Sequence, residues 1–408
     1  MATYILCLTT GGGVPLFTRM SASLKPLPFP VIGSLNGVHM FGINQDVELL
    51  ASTTDDAKVI WKVFHESVTM IAVSQDDMAD DCHLTNLLNY AFQIVVLLCG
   101  LDEVTNIKNI ERFKKELKVC NQLIDKLVEP PVSFSTLTNT VETIASPEST
   151  ILQNFLDAFT EAAESSFGCL YVDDRIVVAT RKWWSLSSNE LVLLTLLISS
   201  LQRCSSRDIP IFLPDSHPTI PHRLMTFRLT KKTEVCVICG QTPSLTDLEH
   251  EVGRFWRPAY DSLLSATSVV PRNIPSSMVL DPNIQCFLLV NTETSRCLGS
   301  VYSSPESSGP LGDFLTVPQR TEVLSSFYKK MVGTFFNSVI EGSDTGPLEF
   351  THQPMETYIT TDSHKCYALQ SGPYQLYVVY TDSIPTYAMR SVSHKTLSLL
   401  TKDKNIQV

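Results

Sequence analysis

TYILCLTTGGGVPLFTRM, residues 3–20, reads as two strands joined by a turn: Tyr4-Ile5-Leu6-Cys7-Leu8 is apolar and β-prone, Gly11-Gly12-Gly13 breaks it, and residues 14–20 resume an extended pattern. The elements downstream of this hairpin decide the fold. After the Pro-rich residues 26–30, VIGSLNGVHMF (31–41) predicts a short helix carrying two glycines, and residues 46–51, 58–64 and 68–74 predict three strands. Leu84, Leu87, Leu88, Ala91, Phe92, Val95 and Val96 then recur at helical spacing. In a second helix Ile110, Phe113, Leu117, Cys120, Ile124 and Leu127 step by three and four, with Lys108, Arg112 and Lys115 on the opposite face. The order is β-β-α-β-β-β-α-α.

The same order restarts twice. GCLYV and IVVAT (168–172 and 176–180) flank Asp173-Asp174-Arg175 as a hairpin, followed by an apolar helix over 189–201, strands at 209–213, 224–230 and 234–239, and a long helix over 245–264. The third hairpin pairs 284–290 with 296–302; a helix over 318–336, strands at 356–361, 365–369 and 375–380, and a helix over 386–400 come after it. A repeat of element order at roughly 130 residues is too long for a solenoid and means tandem domains. They are expected at 1–130, 151–270 and 284–408, with linkers at 131–150 (Ser/Thr-rich after Pro130-Pro131) and 271–283, and a short helix over 151–164. Each is an α/β domain whose five-stranded antiparallel sheet is flanked by helices. This order resembles the longin type, a scaffold of vesicle-traffic proteins that works as an interaction module without catalysis of its own.

Composition narrows the function classes. At 408 residues, two or three domains are expected on a prior of about 150 residues each, and 44% hydrophobic against 18% charged residues allows each a real core. Lys and Arg number 31 against 42 Asp and Glu, a net charge of −11, which disfavours nucleic acid as a partner. The first residues lack the cationic flank and apolar run of a signal peptide. The greasiest stretches, 94–99 and 191–201, fall short of the ~20 residues of a membrane span. Eleven scattered cysteines and no Asn-X-Ser/Thr acceptor give the expectation of a reduced, cytosolic chain.

Motifs for chemistry are mostly absent. Gly11–Gly13 matches neither GxGxxG nor a P-loop. Cys236 and Cys239 sit three apart on a strand and so point to opposite faces, which reads as buried thiols rather than a zinc pair. His65-Glu66-Ser67-Val68-Thr69 lacks the second histidine of a zinc protease, and Asp215, Ser216, His217 and His222 lie together on a Pro-rich stretch read as a loop, not a triad. Asp76, Asp77, Asp80 and Asp81 read as helix capping, with a divalent-cation site as the sharper alternative. Trp183-Trp184 and Phe255-Trp256 read as helix-entry or core aromatics, with interface anchoring as the alternative. No cofactor or metal is expected. The Gly33/Gly37 helix gives up about 1 kcal/mol of helix stability per glycine, which leaves two readings: close packing on the sheet, or a flat face for a partner backbone with Ser34, Asn36, His39 and Phe41 in contact.

VIGSLNGVHMFG (31–42), FHESVT (64–69), GLDEVTNIKNIERFKKEL (100–117), HPTIPHRL (217–224) and CVICG (236–240) together resemble the Fuzzy-like family of planar cell polarity effectors. The resemblance implies three longin domains, similar to the paired longin exchange factors of Rab-type GTPases. It also implies an Inturned-like longin partner, a Fritz-like WD-repeat subunit, a Rab-type small GTPase, and roles in cilium assembly, Hedgehog signalling and oriented protrusion, in the cytoplasm, cytoskeleton and ciliary basal body. On this expectation the chain is not an enzyme; it acts as an exchange-factor subunit or GTPase adaptor through binding alone. The alternative is a phosphoinositide-binding membrane-traffic scaffold or coat adaptor, relying on Lys108, Arg112 and Lys115.

Overall fold

In the computed structural model, which describes residues 3–75, 81–129, 133–302, 315–336, 354–404, 406 and 408, each of the three hairpins returns to its sheet beside three later strands. The first domain runs β1 (Thr3–Thr9), β2 (Pro15–Met20), α1 (Phe29–Ile43), β3 (Ala51–Thr53), β4 (Lys58–Phe64), β5 (Val68–Ser74), α2 (Asp81–Cys99), α3 (Leu101–Thr105), α4 (Ile110–Glu116), a 3-10 turn (Leu117–Cys120) and α5 (Asn121–Val128). Its sheet order is β2-β1-β5-β4-β3, antiparallel throughout. Alternation sorts the strands: Tyr4, Leu6, Leu8, Val59, Trp61 and Ile71 face α1, while α2 and α5 pack on the other side. α2 is the one helix among the described residues long and apolar enough to cross a membrane, but ten of its side chains are buried.

The chain continues through α6 (Ser135–Thr138), β6 (Val141–Glu142), α7 (Ser149–Ala162), β7 (Phe167–Val172), β8 (Arg175–Ala179), α8 (Ser188–Ser200), β9 (Ser206–Leu213), β10 (His217–Arg228), β11 (Thr233–Cys239), α9 (Leu245–Trp256), a 3-10 turn (Arg257–Ala259) and α10 (Tyr260–Ser268). The second sheet has the order β8-β7-β11-β10-β9. One face is filled by Leu170, Val172, Met225, Phe227, Val235 and Val237 under α7, α9 and α10. The third domain is β12 (Ile284–Asn291), β13 (Arg296–Ser300), α11 (Val317–Thr334), β14 (Glu356–Thr360), β15 (His364–Ser371), β16 (Tyr374–Thr381) and α12 (Thr386–Lys402). Here alternation is clean: Phe287, Leu289, Leu376 and Val378 face α12, and Leu288, Val290, Tyr377 and Val379 face α11.

Compactness does not track the domain repeat. One unit holds Met1–Val132 with Leu193–Arg203 and Ile209–Leu224; the other holds Ser133–Val192, Cys204–Asp208 and Met225–Val408. Within the first, Gly100 has φ 83 and a Cβ there would stand 2.9 Å from the Phe212 ring, so only glycine fits.

Several expectations shift. The strand expected at 46–51 is only β3, because α1 continues to Ile43 and Val47 N–H turns back to the Gly42 carbonyl at 3.0 Å. The stretch from His217 to His222 is not a loop; it opens β10, although Pro218 and Pro221 interrupt its donors. Pro258 divides the expected long helix into α9 and α10. Asp76, Asp77 and Asp80 lie outside the described residues; Asp81 starts α2 and pairs with Lys58 at 2.8 Å. Trp183 is buried edge-to-face against Tyr171, and Trp256 packs on Phe159, so both belong to cores.

The stretch expected as the first linker carries the largest departure. Val141 and Glu142 add a sixth, parallel strand to the third sheet beside β13, giving β14-β15-β16-β12-β13-β6. One residue on, Thr143 N–H donates to the Cys297 carbonyl at 2.8 Å and Ile144 N–H to that of Ile176 at 3.0 Å, so the segment bonds to the second and third sheets together. The Glu142 carboxylate, 1% exposed, accepts from Arg175 Nε and from Ser133 Oγ, both at 2.8 Å. Nearby, the Arg296 guanidinium lies 3.7 Å over the Trp184 ring, and burial pushes its pKa down to about 10.

Removing one partner of a buried ion pair strands the other charge. Glu142→Ala is therefore expected to destabilise the chain by about 3 kcal/mol in denaturant titration. The Glu142→Ala/Arg175→Ala double variant should lose less than the two single losses added together.

Candidate functional site

The helix α1 is built from fifteen residues of which none is charged, in a chain where 73 are. Pro28 stands at its N-cap and Pro30 in its first turn, where a missing N–H costs nothing. Its apolar residues run around the whole circumference rather than along one stripe. A helix of that kind belongs in a core, yet only His39 of the fifteen is buried.

The rear face seats on the sheet. Ile32 and Leu35 pack against the Tyr4, Leu6, Val59 and Trp61 cluster, and the Trp61 indole N–H donates to the Leu35 carbonyl oxygen at 3.1 Å. Asn36 lies half-buried against the β1–β2 turn: Gly13 has φ 61, and a Cβ there would sit 2.2 Å from Asn36 Nδ2. Gly13 thus suits the turn through its left-handed backbone, and a side chain there would displace the Asn36 amide. His39 is 2% exposed, and among the described residues neither ring nitrogen has a hydrogen-bond partner. Loss of hydration pushes its pKa below the ordinary 6.5, partly opposed by the Glu48 carboxylate.

The front face is bare. Phe29 is 75% and Phe41 69% exposed, with Gly33 and Gly37 between them at four-residue steps along one ridge. A Cβ on either of these two glycines would meet nothing within 4 Å, so the ridge is a backbone-floored saddle about 18 Å long with an aromatic ring at each end. Ser34 and Val38 flank it, both exposed. The patch continues through Ile43, Val47 and Leu50 to the edge strand β3, whose three residues are all exposed. Seven of the eighteen large apolar side chains exposed among the described residues fall within positions 29–50, a concentration that monomeric surfaces rarely carry.

The four residues expected to make one contact surface therefore divide. Ser34 and Phe41 stand on the front; Asn36 and His39 are turned into the seat, because they lie some 140–200° around the helix from Ser34. Phe29, Val38, Val47 and Leu50, which residue spacing did not single out, belong to the open face. The absence of charge over residues 29–43 was the available signal.

The second expected site is less uniform than its spacing suggested. Lys108 precedes the helix, whose cap is Asn109, its side chain accepting from the Arg112 N–H at 3.0 Å. Arg112 pairs with Glu116 at 2.7 Å and Lys114 with Glu111 at 3.0 Å. Lys115 is exposed and shares with Asn109, Glu111, Arg112 and Glu116 an open depression of about 420 Å³. Acidic side chains thus interleave with the cations. Among the described residues no three His, Cys, Asp or Glu side chains are grouped to hold a metal ion. Cys236 and Cys239 are both buried, Cys239 in the α7 core and Cys236 opposite Cys169 across the strand pair.

Three family models match the chain: the first longin domain of FUZ, MON1 and HPS1 over residues 3–127, the second over 163–257 and the third over 283–404. The protein fuzzy homolog of Xenopus tropicalis is 41% identical over 411 residues, covering 98% of both chains. The protein fuzzy homolog of Homo sapiens is 38% identical over 419 residues, covering 98% of this chain and 97% of its own. That of Mus musculus is 36% identical over 415 residues with the same coverage.

Because loss of hydration lowers the His39 pKa in the fold, the unfolded chain binds its imidazole proton at a higher pH than the folded chain does. Stability from this site is complete above the unfolded value and falls as pH drops from there toward the lowered folded value. Thermal melting from pH 7.5 to 5.5 should show a shallower decline for His39→Leu than for the parent. The variant should also be about 1 kcal/mol more stable at pH 7.5, since it removes a buried unpaired imidazole.

Proposed function

The chain belongs to the three-longin family of FUZ, MON1 and HPS1, among its fuzzy homologues, and on that premise we propose that it is a non-catalytic docking subunit whose first domain pairs with a second longin protein and, with it, engages a Rab-type small GTPase. The observation that carries this reading is the uncharged, exposed front of α1 with its continuation to the β3 edge. An apolar surface of this kind seeks a protein partner, and a free strand edge offers main-chain hydrogen bonds to an extended partner segment. An Inturned-like longin protein, with a Fritz-like WD-repeat subunit alongside, fits the family resemblance; the setting is planar polarity and cilium assembly at the basal body.

Exchange by such a subunit needs no reactive side chain. A surface that binds the nucleotide-free GTPase better than the loaded one weakens the nucleotide's hold by the difference in binding free energy. Interleaving of Glu111 and Glu116 with Arg112 and Lys115 favours this protein-docking reading over a phosphoinositide adaptor, which calls for a single-signed cationic face.

Phe29→Ser/Phe41→Ser is expected to leave the melting temperature unchanged, because both rings are already in water. Capture of the co-expressed longin partner and GTPase should fall at least tenfold, roughly one buried aromatic anchor. Tyr387→Ser, at a site in the third domain that is 87% exposed, should leave capture intact. Equal loss in both variants would refute the assignment to α1, and a nucleotide-release assay with the purified pair separates exchange from simple effector binding.

A further inference from the structure

None of the eleven cysteines is in a disulfide, and seven of the nine outside one particular pair are buried in strands of the three sheets. Burial pushes their thiols up, Cys297 and Cys366 to about 12, and it raises those of Cys7, Cys169, Cys236 and Cys286 as well. They are inert by environment. Cys82 and Cys204 are accessible and lie on α2 and on the strand-entry loop.

Cys99 and Cys120 differ from all of these. Cys99 is the last residue of α2 and half-buried; Cys120 ends the 3-10 turn before α5 and is fully buried. Their sulfurs stand 4.0 Å apart, and Cys120 Sγ also reaches the Ile94 carbonyl oxygen at 4.0 Å. The Cys120 thiol donating toward Cys99 pulls the Cys99 pKa below its ordinary value, against burial and the Glu116 and Glu103 carboxylates, while Cys120 itself is pushed up. One sulfur is thus reachable and anion-prone, and its neighbour is a shielded thiol. Gly100, with φ 83, comes directly after Cys99, so the backbone turns at the place where the sulfur must move by about 2 Å to reach bonding distance.

We propose that Cys99 and Cys120 are a peroxide-responsive dithiol, Cys99 being the residue oxidised and Cys120 the one that resolves it. The Cys99 thiolate attacks hydrogen peroxide, its sulfur taking one oxygen as the O–O bond breaks; with one proton the leaving hydroxide departs as water, and Cys99 becomes a sulfenic acid. The Cys120 sulfur then attacks the Cys99 sulfur, the S–O bond breaks, and the Cys120 proton leaves with the hydroxide as a second water. Peroxide is reduced by two electrons and the two thiols are oxidised to one disulfide. The bond ties the end of α2 to the 3-10 turn and closes a loop containing α3 and α4.

The test treats the full chain with excess hydrogen peroxide under native conditions, blocks remaining thiols, and maps peptides by mass. The expected product is a Cys99–Cys120 cross-link, two hydrogens lighter than the thiol pair and reversed by dithiothreitol. In Cys120→Ser the cross-link should vanish and dimedone should label Cys99; in Cys99→Ser position 120 should remain a free thiol. Recovery of Cys99 and Cys120 in the parent chain as free thiols, or of Cys99 as a sulfenic or sulfinic acid without the cross-link, overturns the proposal whatever happens at Cys82 and Cys204. The parent chain alone decides it, so neither variant needs to fold.

Discussion

A helix without charge cannot rest comfortably in water, and α1 is such a helix with one side left bare. Its rear is held by few contacts: Ile32 and Leu35 in the β1, β4 and β5 cluster, one indole hydrogen bond from Trp61, and Asn36 against the turn at Gly13. The front offers Phe29 and Phe41 around a backbone saddle. Burying each exposed aromatic recovers about 1.5–3 kcal/mol, more than most surface contacts supply. Among the described residues the other two domains carry no comparable run: their exposed apolar side chains are scattered from Ile151 to Leu399, with Tyr260 and Leu264 one turn apart on α10, which is ordinary for a protein surface. The distinction between the first domain and its two structural repeats is therefore one of covering, not of fold.

The second and third domains are tied by chain that belongs to neither sheet by pattern. β6 is two residues long, yet it and the two residues after it hand backbone donors to carbonyls of both neighbours, and Glu142 is buried against Arg175. A buried ion pair is a poor source of net stability but a strong determinant of arrangement, since either charge alone is costly. The Arg296 guanidinium over Trp184 acts the same way.

The alternation of β1, β5, β7, β12 and β16 and the 3-4 spacing of α2 were legible because each element's own side chains carry the period that buries it. The three starts of the element order came from that alone. β6 was not legible: a two-residue strand in Thr-rich sequence is defined by the carbonyls it meets, not by its own pattern. Nor was β10, whose prolines at 218 and 221 imitate a loop. The rotation of α1 was unreadable for a different reason. Apolar residues surround it, so periodicity cannot say which side meets the sheet, and Asn36 and His39 looked as available as Ser34 and Phe41. The charge-free run from 29 to 43 marked the helix as unusual; only the sheet beneath it decides which face is open.

The light seating of α1 bears on how a docking subunit can work through binding alone. α2 buries ten side chains and α1 buries one, an imidazole with both nitrogens unpaired among the described residues. A buried polar group left without a partner costs about 1–3 kcal/mol, so the resting seat is not the best that these residues could make. Helices held this way sit at the low end of local stability and can shift without unfolding the sheet that carries them. On the proposed docking role, a partner covering Phe29 and Phe41 gains apolar burial, and any shift of α1 that gives His39 a hydrogen bond adds to it. Both gains exist only in the bound arrangement. Differential binding of that kind is what lets a surface without reactive groups discriminate between states of the protein it holds.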